Sequence, residues 1–197
     1  MDQLGIVRAD FVCNSWGGSA ALSLASKYPS RVRSVVVTGS MPIIHDALAP
    51  IPVRGQVGRM VRELYYGGEG PTYEKMRELI GRYEWYDASL VPDEVVRLRY
   101  EQSITPDERH LAAQPDSYRG TAEDLGACMR NIICPVLLLW GLHDAFVPPE
   151  YALMLTRLLS RAQLHILDAA GHHPQKERPL HYIEIVKSFL NQPETIQ

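Results

Sequence analysis

The stretch that most constrains this chain covers residues 9–21 and reads ADFVCNSWGGSAA. An apolar run ends at Cys13, a short turn of small and polar residues follows, and a segment rich in alanine and serine comes next. This order predicts a strand, a tight turn and a helix, with Ser15 at the tip of the turn. The hydroxyl group would then lie at the carboxyl end of a strand, in front of the free N–H groups of a helix N-terminus.

The residues around Ser15 are close to the pattern G-x-S-x-G, with Cys13 in place of the first glycine and Gly17 in the position of the second. Small residues are needed on both sides because the incoming strand and the outgoing helix approach each other closely at such a turn. The serine is a candidate nucleophile, and the main-chain N–H group of Trp16 is the expected oxyanion donor. A simple helix N-cap after a strand is the alternative interpretation.

Two further polar residues follow predicted strands later in the chain. Asp144 comes after the buried-strand pattern of residues 134–140, and His172 comes after residues 163–167 and a glycine. A histidine can remove the proton of a serine hydroxyl, and a carboxylate holds the imidazole in the right tautomer. Taken singly, Asp144 could end a turn and His172 could be structural. Their order after the serine, each at a strand end, predicts a Ser-Asp-His catalytic triad.

Neighbouring residues offer rival assignments for two members of this triad. His173 is adjacent to His172, and Asp168 precedes both in the same connection. We expect His172 to point into the site because it directly follows the glycine turn, and Asp168 is too near in sequence to orient it from behind. The other histidines have no motif around them and are expected to be solvent-facing or structural: His45, His110, His143, His165 and His181.

Four short apolar runs have the character of buried strands in a parallel sheet. They are Ala9–Asn14, Val32–Thr38, 134–140 and 163–167. Between the second and the third, Leu, Met, Tyr and Arg recur at helical spacing, and glycines and prolines interrupt them. We therefore predict an α/β fold in which residues 1–40 and 129–197 form the core and residues 41–128 form an inserted helical cap.

Composition excludes several classes of function. The 197 residues carry a formal net charge of −3 and 46% hydrophobic residues, which is typical of a globular protein without a nucleic-acid partner. The longest apolar runs are far shorter than the roughly 20 residues that span a bilayer. Three cysteines without metal-ligand spacing indicate a reduced, cytoplasmic setting. We expect a small-molecule substrate and no metal or other cofactor, and a homo-oligomer is compatible with these observations.

Three segments of the chain resemble the α/β-hydrolases: the turn at residues 14–18, the segment at 140–148 and the turn at 170–172. More narrowly, they are similar to the C–C bond hydrolases that cleave meta-ring-fission products of aromatic degradation. The resemblance implies a parallel sheet with an inserted cap. It also implies a cofactor-independent, serine-dependent hydrolysis of a 2-hydroxy-6-oxo-hexa-2,4-dienoate-type substrate.

The resemblance further implies residues that bind the substrate. Asn14 matches the asparagine that precedes the nucleophile in this family and lies near the dienoate end of the substrate. The segment DEVVRLRYE is similar to the cap helix whose arginine, here Arg99, binds the substrate carboxylate or dienol oxygen, and Arg97 is the competing choice. Cys13 and His173 depart from the family, which usually has glycine and often has tryptophan at these positions.

Members of this family carry a further N-terminal segment with several strands and a second oxyanion donor. We therefore expect the sequence to be a fragment or a mis-started version of a longer protein, and the alternative is that a partner chain supplies the missing part. Two alternatives to the C–C hydrolase remain open at this point. One is a carboxylesterase with the same triad, and the other is a non-catalytic, hydrolase-like binding protein.

Overall fold

The computed structural model describes residues 1–42, 44, 56–114 and 123–192. In this part of the chain, four parallel strands form one sheet in the order β1-β2-β3-β4. The strands are β1 (Ala9–Asn14), β2 (Val32–Thr38), β3 (Val136–Gly141) and β4 (Ala162–Leu167). The predicted α/β class with a parallel sheet is therefore confirmed.

The two inner strands, β2 and β3, are apolar on both faces. On β2, Val35 and Val37 pack into one hydrophobic cluster, whereas Val36 packs into a second cluster on the opposite face of the sheet. This alternation follows from the two-residue period of a strand. Both faces are covered, so these segments appear in the sequence as continuous apolar runs. β1 pairs only with β2 among the described strands, and its Val12 is 51% exposed.

Helices cover both faces of the sheet. α1 (Trp16–Lys27) and a helix at Glu150–Leu158 pack into the cluster on one face, and a helix at Pro179–Leu190 packs into the cluster on the other. Small residues on the buried side of α1, including Ala21 and Ala25, allow the helix to lie close to the strands. Each core helix follows a strand, as expected for parallel crossover connections.

In the described part of the chain between β2 and β3 lie four more α-helices: α2 (Gln56–Tyr66), α3 (Tyr73–Leu79), α4 (Asp93–Ser103) and α5 (Pro106–Ala113). A π-helical turn, Ile80–Glu84, follows α3. Side chains from α2, α3, α4 and the segment between α3 and α4 form a separate hydrophobic cluster, which contains Tyr65, Met76, Ile80, Trp85, Val91 and Val96. The limits of the proposed cap, 41–128, stay a prediction, and His45 lies outside the described residues.

The last part of the chain contains α6 (Glu150–Leu158), α7 (Pro174–Glu177) and α8 (Pro179–Leu190). The single turn of α7 follows the predicted histidine loop directly and was not expected from the sequence. It begins at a proline, a residue that is well suited to the first position of a helix. In the described parts of the chain, none of the helices is long and apolar enough to cross a membrane.

Candidate active site

Ser15 occupies the sharp turn between β1 and α1. Its φ of 53° and ψ of −124° lie in a region that residues other than glycine rarely adopt. Main-chain hydrogen bonds hold the turn on both sides. Ser15 N donates to Thr38 O at 2.8 Å, and Gly18 N donates to Ser15 O at 3.0 Å. The neighbouring strand thus sustains a strained conformation at the residue that the sequence predicts as nucleophile.

The residues beside Ser15 leave room for the close approach of α1 to the sheet. A Cβ atom on Gly18 would lie 2.7 Å from Ser40 Cβ, whereas one on Gly17 would meet only Cys13 Cβ, at 3.5 Å. Cys13 is therefore small enough for the position where the pattern usually has glycine. The indole of Trp16 is 74% exposed. Because Trp16 begins the helix, its main-chain N–H group has no partner within the helix.

A buried carboxylate and a buried imidazole meet at the carboxyl ends of β3 and β4. Asp144 Oδ2 lies 2.8 Å from His172 Nδ1, and both residues are almost fully buried, at 4% and 5% exposure. Because an ionised carboxylate can only accept hydrogen bonds, Nδ1 carries the proton of the neutral imidazole. The second ring nitrogen, Nε2, is then an acceptor.

The loop after β3 fixes the orientation of Asp144. Its other oxygen, Oδ1, accepts hydrogen bonds from the main-chain N–H groups of Phe146, at 2.9 Å, and Val147, at 2.8 Å. The loop after β2 makes room for the pair at Gly39, which has a φ of 53°. A Cβ atom at Gly39 would lie 2.8 Å from the ring of His172 and 3.0 Å from Asp144 Oδ2. Glycine is therefore required here both by conformation and by space.

Asn14 links the serine turn to the histidine loop. Its Nδ2 donates to Thr38 O and to His172 O, at 3.2 Å in each case. Because both hydrogens of the amide group are directed at main-chain oxygens, the side chain bridges β1, β2 and the loop of His172. The expected contact of Asn14 with a substrate stays a prediction, and the amide oxygen is the atom that could make it.

Glu177 holds the same loop from the other side. One of its oxygens accepts a hydrogen bond from Gly171 N at 2.8 Å, and the other accepts one from Tyr86 N at 2.7 Å. The main-chain N–H group of His172 also donates to Glu84 O at 2.8 Å. The predicted cap region and the histidine loop are therefore joined by hydrogen bonds at the site itself.

The rival residues have other partners. His173 Nε2 lies 3.1 Å from Glu84 Oε2 rather than near Asp144. Asp168 pairs with His143 at 3.2 Å, in a contact where the aspartate side chain is 83% exposed. Arg97 pairs with Glu101 one turn further along α4, and both side chains are more than half exposed. Of the candidate residues, Asp144 and His172 are thus the ones that pair in a buried site, and Asn14, which precedes Ser15, is hydrogen-bonded to His172 O.

Arg99 contacts a buried carboxylate. Its Nη1 group donates to Glu84 Oε2, the same oxygen that contacts His173, and the Glu84 side chain is only 6% exposed. Burial raises the pKa of Glu84, but the hydrogen bond from His173 and the charge and hydrogen bond of Arg99 outweigh it and lower the pKa to about 2. Glu84 is therefore ionised at neutral pH. No local pattern of residues around Glu84 identifies it as part of the site.

A cavity of about 360 Å³ lies between the cap helices and Phe146 of the loop after β3. Arg99 lines this cavity, together with aromatic and aliphatic side chains of α2 and α3 that include Tyr65, Tyr66, Met76 and Leu79. Phe146 also packs beside the buried pair, since its ring is 5.3 Å from the His172 ring, centre to centre. A larger cavity of about 930 Å³, which Arg8 and Asp10 help to line, lies at the opposite ends of the strands from Ser15.

Comparisons with known proteins identify the family of this chain. The family model described as alpha/beta hydrolase fold matches residues 1–179. This chain belongs to the α/β-hydrolase family. It is 30% identical to a 2-hydroxymuconate semialdehyde hydrolase of Pseudomonas putida, an alignment that covers 100% of this chain and 67% of that protein. It is 31% identical to a 2-hydroxy-6-oxononadienedioate/2-hydroxy-6-oxononatrienedioate hydrolase of Burkholderia vietnamiensis, over 96% of this chain and 65% of the relative.

Solved structures give the same result. A meta-cleavage product hydrolase from Pseudomonas fluorescens is 30% identical, with a TM-score of 0.78 over 97% of this chain and 67% of that one. A 2-hydroxy-6-oxo-6-phenylhexa-2,4-dienoate hydrolase from Rhodococcus is 26% identical, with a TM-score of 0.80 over 98% of this chain and 67% of that one. The chain thus spans about two thirds of the length of the relatives that it matches. Within the described ranges, no three His, Cys, Asp or Glu side chains come together as metal ligands would.

Proposed function

We propose that this protein is a serine-dependent hydrolase that cleaves a C–C bond in a 2-hydroxy-6-oxo-hexa-2,4-dienoate-type substrate. The observation that carries the proposal is the buried hydrogen bond between His172 Nδ1 and Asp144 Oδ2, at the sheet edge where Ser15 forms its strained turn. Similarity to hydrolases of meta-cleavage products supports the substrate class.

The roles of the three side chains follow from their protonation. Because Nδ1 of His172 donates to Asp144, Nε2 is left to accept the proton of the Ser15 hydroxyl group. The carboxylate holds the imidazole in this tautomer and stabilises the imidazolium that forms. His172 then acts as the acid and base of the reaction, Ser15 as nucleophile and Asp144 as the residue that orients the histidine.

The main-chain N–H group of Trp16 is the proposed donor to the oxyanion. Negative charge develops on the 6-oxo oxygen when its carbon is attacked, and the N-terminus of α1 presents N–H groups and the positive end of the helix dipole to that position. Removing one such donor typically costs about 2.7 to 4 kcal/mol of transition-state stabilisation. No cofactor is required for this step.

The substrate is expected to be ketonised before its bond is broken. Attack of the Ser15 oxygen at the 6-oxo carbon forms an ester and breaks the bond from that carbon to its neighbour. The bonding electrons pass along the conjugated chain to the 2-oxo oxygen, which takes up a proton, so this product is a hydroxydienoate. Water then cleaves the ester, which releases the carboxylic acid and returns a proton to the Ser15 oxygen. Asn14 and Arg99 are the proposed contacts to the dienoate part, and Arg99 suits a carboxylate because its guanidinium can donate two parallel hydrogen bonds.

The experiment that tests the substrate class compares a dienoate with a simple ester. In the Arg99→Ala variant, we expect kcat/KM for a 2-hydroxy-6-oxo-dienoate to fall at least tenfold more than kcat/KM for a neutral phenyl ester, because only the dienoate uses the guanidinium. Arg97→Ala is the matched control, since Arg97 lies on the same helix with an exposed side chain paired to Glu101.

Equal losses on both substrates in Arg99→Ala would argue against this role of Arg99. Good turnover of short esters without turnover of the dienoate would favour a carboxylesterase instead. Ligand binding that is unaffected by Ser15→Ala, together with no turnover of either substrate, would identify a hydrolase-like binding protein.

A further inference from the structure

Glu84 places a buried negative charge directly behind the arginine of the cap cavity. Its carboxylate contacts Arg99 and His173, and its side chain is 6% exposed. The Arg99 side chain is 38% exposed and lines the cavity, whose wall also includes Phe146, a neighbour of His172. The guanidinium therefore has one charged partner from the protein on its buried side and faces the cavity on the other.

A substrate carboxylate bound to Arg99 in the cavity would interact with two opposite charges. The guanidinium attracts it, and the Glu84 carboxylate, held on the same guanidinium, repels it. Because the Glu84 side chain is only 6% exposed, water screens this repulsion weakly. The other ionisable side chains that line the cavity are Arg62 and Glu108, one of each sign, together with the phenols of Tyr65 and Tyr66. Glu84 is thus the charge that lies closest to the expected carboxylate anchor.

We propose that Glu84 determines the charge selectivity of the cap cavity: its pairing with Arg99 weakens the binding of anionic ligands and leaves the binding of neutral ligands unaltered. This inference rests on the proposed function only in its choice of ligand, a dienoate. Both products of the proposed reaction are anions, so a weakened carboxylate site also favours their release.

The test is a measurement of binding with two small ligands of nearly the same shape, of which one is an anion and the other is neutral. Hexa-2,4-dienoate and its amide, hexa-2,4-dienamide, are titrated into the whole chain by calorimetry, and the ratio of their dissociation constants is compared between the parent and Glu84→Gln. Glutamine keeps the shape of Glu84 and one acceptor oxygen, which can face Arg99 and His173, and removes the charge. We expect the ratio to shift about tenfold in favour of the anion, which corresponds to about 1.4 kcal/mol.

Glu101→Gln is the matched control. Glu101 belongs to α4, as Arg99 does, and it pairs with Arg97 through a side chain that is 55% exposed. The same change of charge at this solvent-facing position should leave the ratio of dissociation constants unchanged, because the solvent screens it.

Arg99→Gln provides a second variant in case Glu84→Gln does not fold. It leaves the negative charge and removes the positive one, so the ratio should shift about tenfold against the anion. A ratio that stays the same in the folded variants, or a parent chain that binds neither ligand, would overturn the inference. The two proposals can fail separately. If the binding ratios shift as expected but the chain does not hydrolyse the dienoate, the proposed function is refuted and the charge selectivity of Glu84 is supported.

Discussion

His172 Nδ1 and Asp144 Oδ2 are 2.8 Å apart, in side chains that are 7% and 1% exposed. A second pair of the same residue types lies in the adjoining turns, where His143 Nε2 is 3.2 Å from Asp168 Oδ1 and the two side chains are 42% and 83% exposed. The two pairs share their chemistry and differ in burial. Matching substitutions in the two pairs therefore distinguish the effect of a buried aspartate on its histidine from that of an exposed one.

Asp144→Asn should abolish most of the activity and leave the fold intact. The amide cannot hold Nδ1 of His172 in the donor state, so the imidazole is free to adopt the wrong tautomer for accepting the proton of Ser15. We expect kcat to fall by about 10⁴-fold, the size of the effect in an established triad. Steady-state kinetics on the dienoate measure this change, and circular dichroism checks the fold.

Asp168→Asn is the control for this substitution. It makes the same chemical change in the exposed pair with His143 and should alter kcat by less than about twofold. Similar losses in Asp144→Asn and Asp168→Asn would contradict the assignment of Asp144 as the orienting residue.

Gly39→Ala should displace the buried pair. The added Cβ atom would lie 2.8 Å from the ring of His172 and 3.0 Å from Asp144 Oδ2. A misplacement of about 1 Å in a catalytic group can cost about 100-fold in rate. We expect a loss of this order in kcat/KM, in addition to a loss of stability that thermal unfolding measures.

Gly68→Ala is the control that separates the steric collision in Gly39→Ala from the backbone strain of an alanine with positive φ. Gly68 has a φ of 62°, close to the 53° of Gly39, but a Cβ atom at Gly68 would have no heavy atom within 4 Å. Both substitutions place alanine in a left-handed conformation at a cost of about 1 to 2 kcal/mol. If Gly68→Ala reduced activity as much as Gly39→Ala, the collision with His172 would not be the cause.

Acid should weaken the parent chain more than Glu84→Gln. The pKa of Glu84 is lowered from 4.5 to about 2 in the folded chain, so its stabilising contribution is complete above about pH 5 and is lost as the pH falls toward 2. Between about pH 5 and about pH 3, this loss amounts to roughly 2 kcal/mol, which the variant should not show.

Urea unfolding of the parent, Glu84→Gln and Glu101→Gln at the two pH values measures this difference. Other carboxylates also titrate in this range, but they are common to all three proteins and cancel in the comparison. A difference between the parent and Glu84→Gln that stays constant with pH would mean that the buried carboxylate is not held ionised by Arg99 and His173.

Local sequence patterns were sufficient to predict much of the fold. The limits of β1 and β2 agree with the predicted Ala9–Asn14 and Val32–Thr38, because buried parallel strands are continuous apolar runs with clear ends. β3 starts at Val136, two residues later than predicted, after a proline that has no N–H group to donate. The α7 turn was missed because its four residues are too few to show a helical period.

The surroundings of Arg99 could not be predicted in this way. The guanidinium was expected to face a substrate, and the structure adds a buried partner, Glu84, from a segment 15 residues earlier in the chain. No periodic or local pattern in the sequence predicts the burial of Glu84 or its contact with His173. Both depend on the way the cap packs against the histidine loop. The family often has tryptophan at the position of His173. This departure was the only indication in the sequence that this side of the site differs from that of the family.

The most direct test of the account follows the loss of dienolate absorbance from a 2-hydroxy-6-oxo-dienoate with the parent chain, Ser15→Ala and Ser23→Ala. Ser23 lies on the same helix and its hydroxyl group donates to Glu123 at an exposed site, so it is the control. The account predicts turnover with the parent and Ser23→Ala, and loss of turnover by at least about 10³-fold with Ser15→Ala. Turnover that persists in Ser15→Ala would contradict a serine nucleophile at the end of β1.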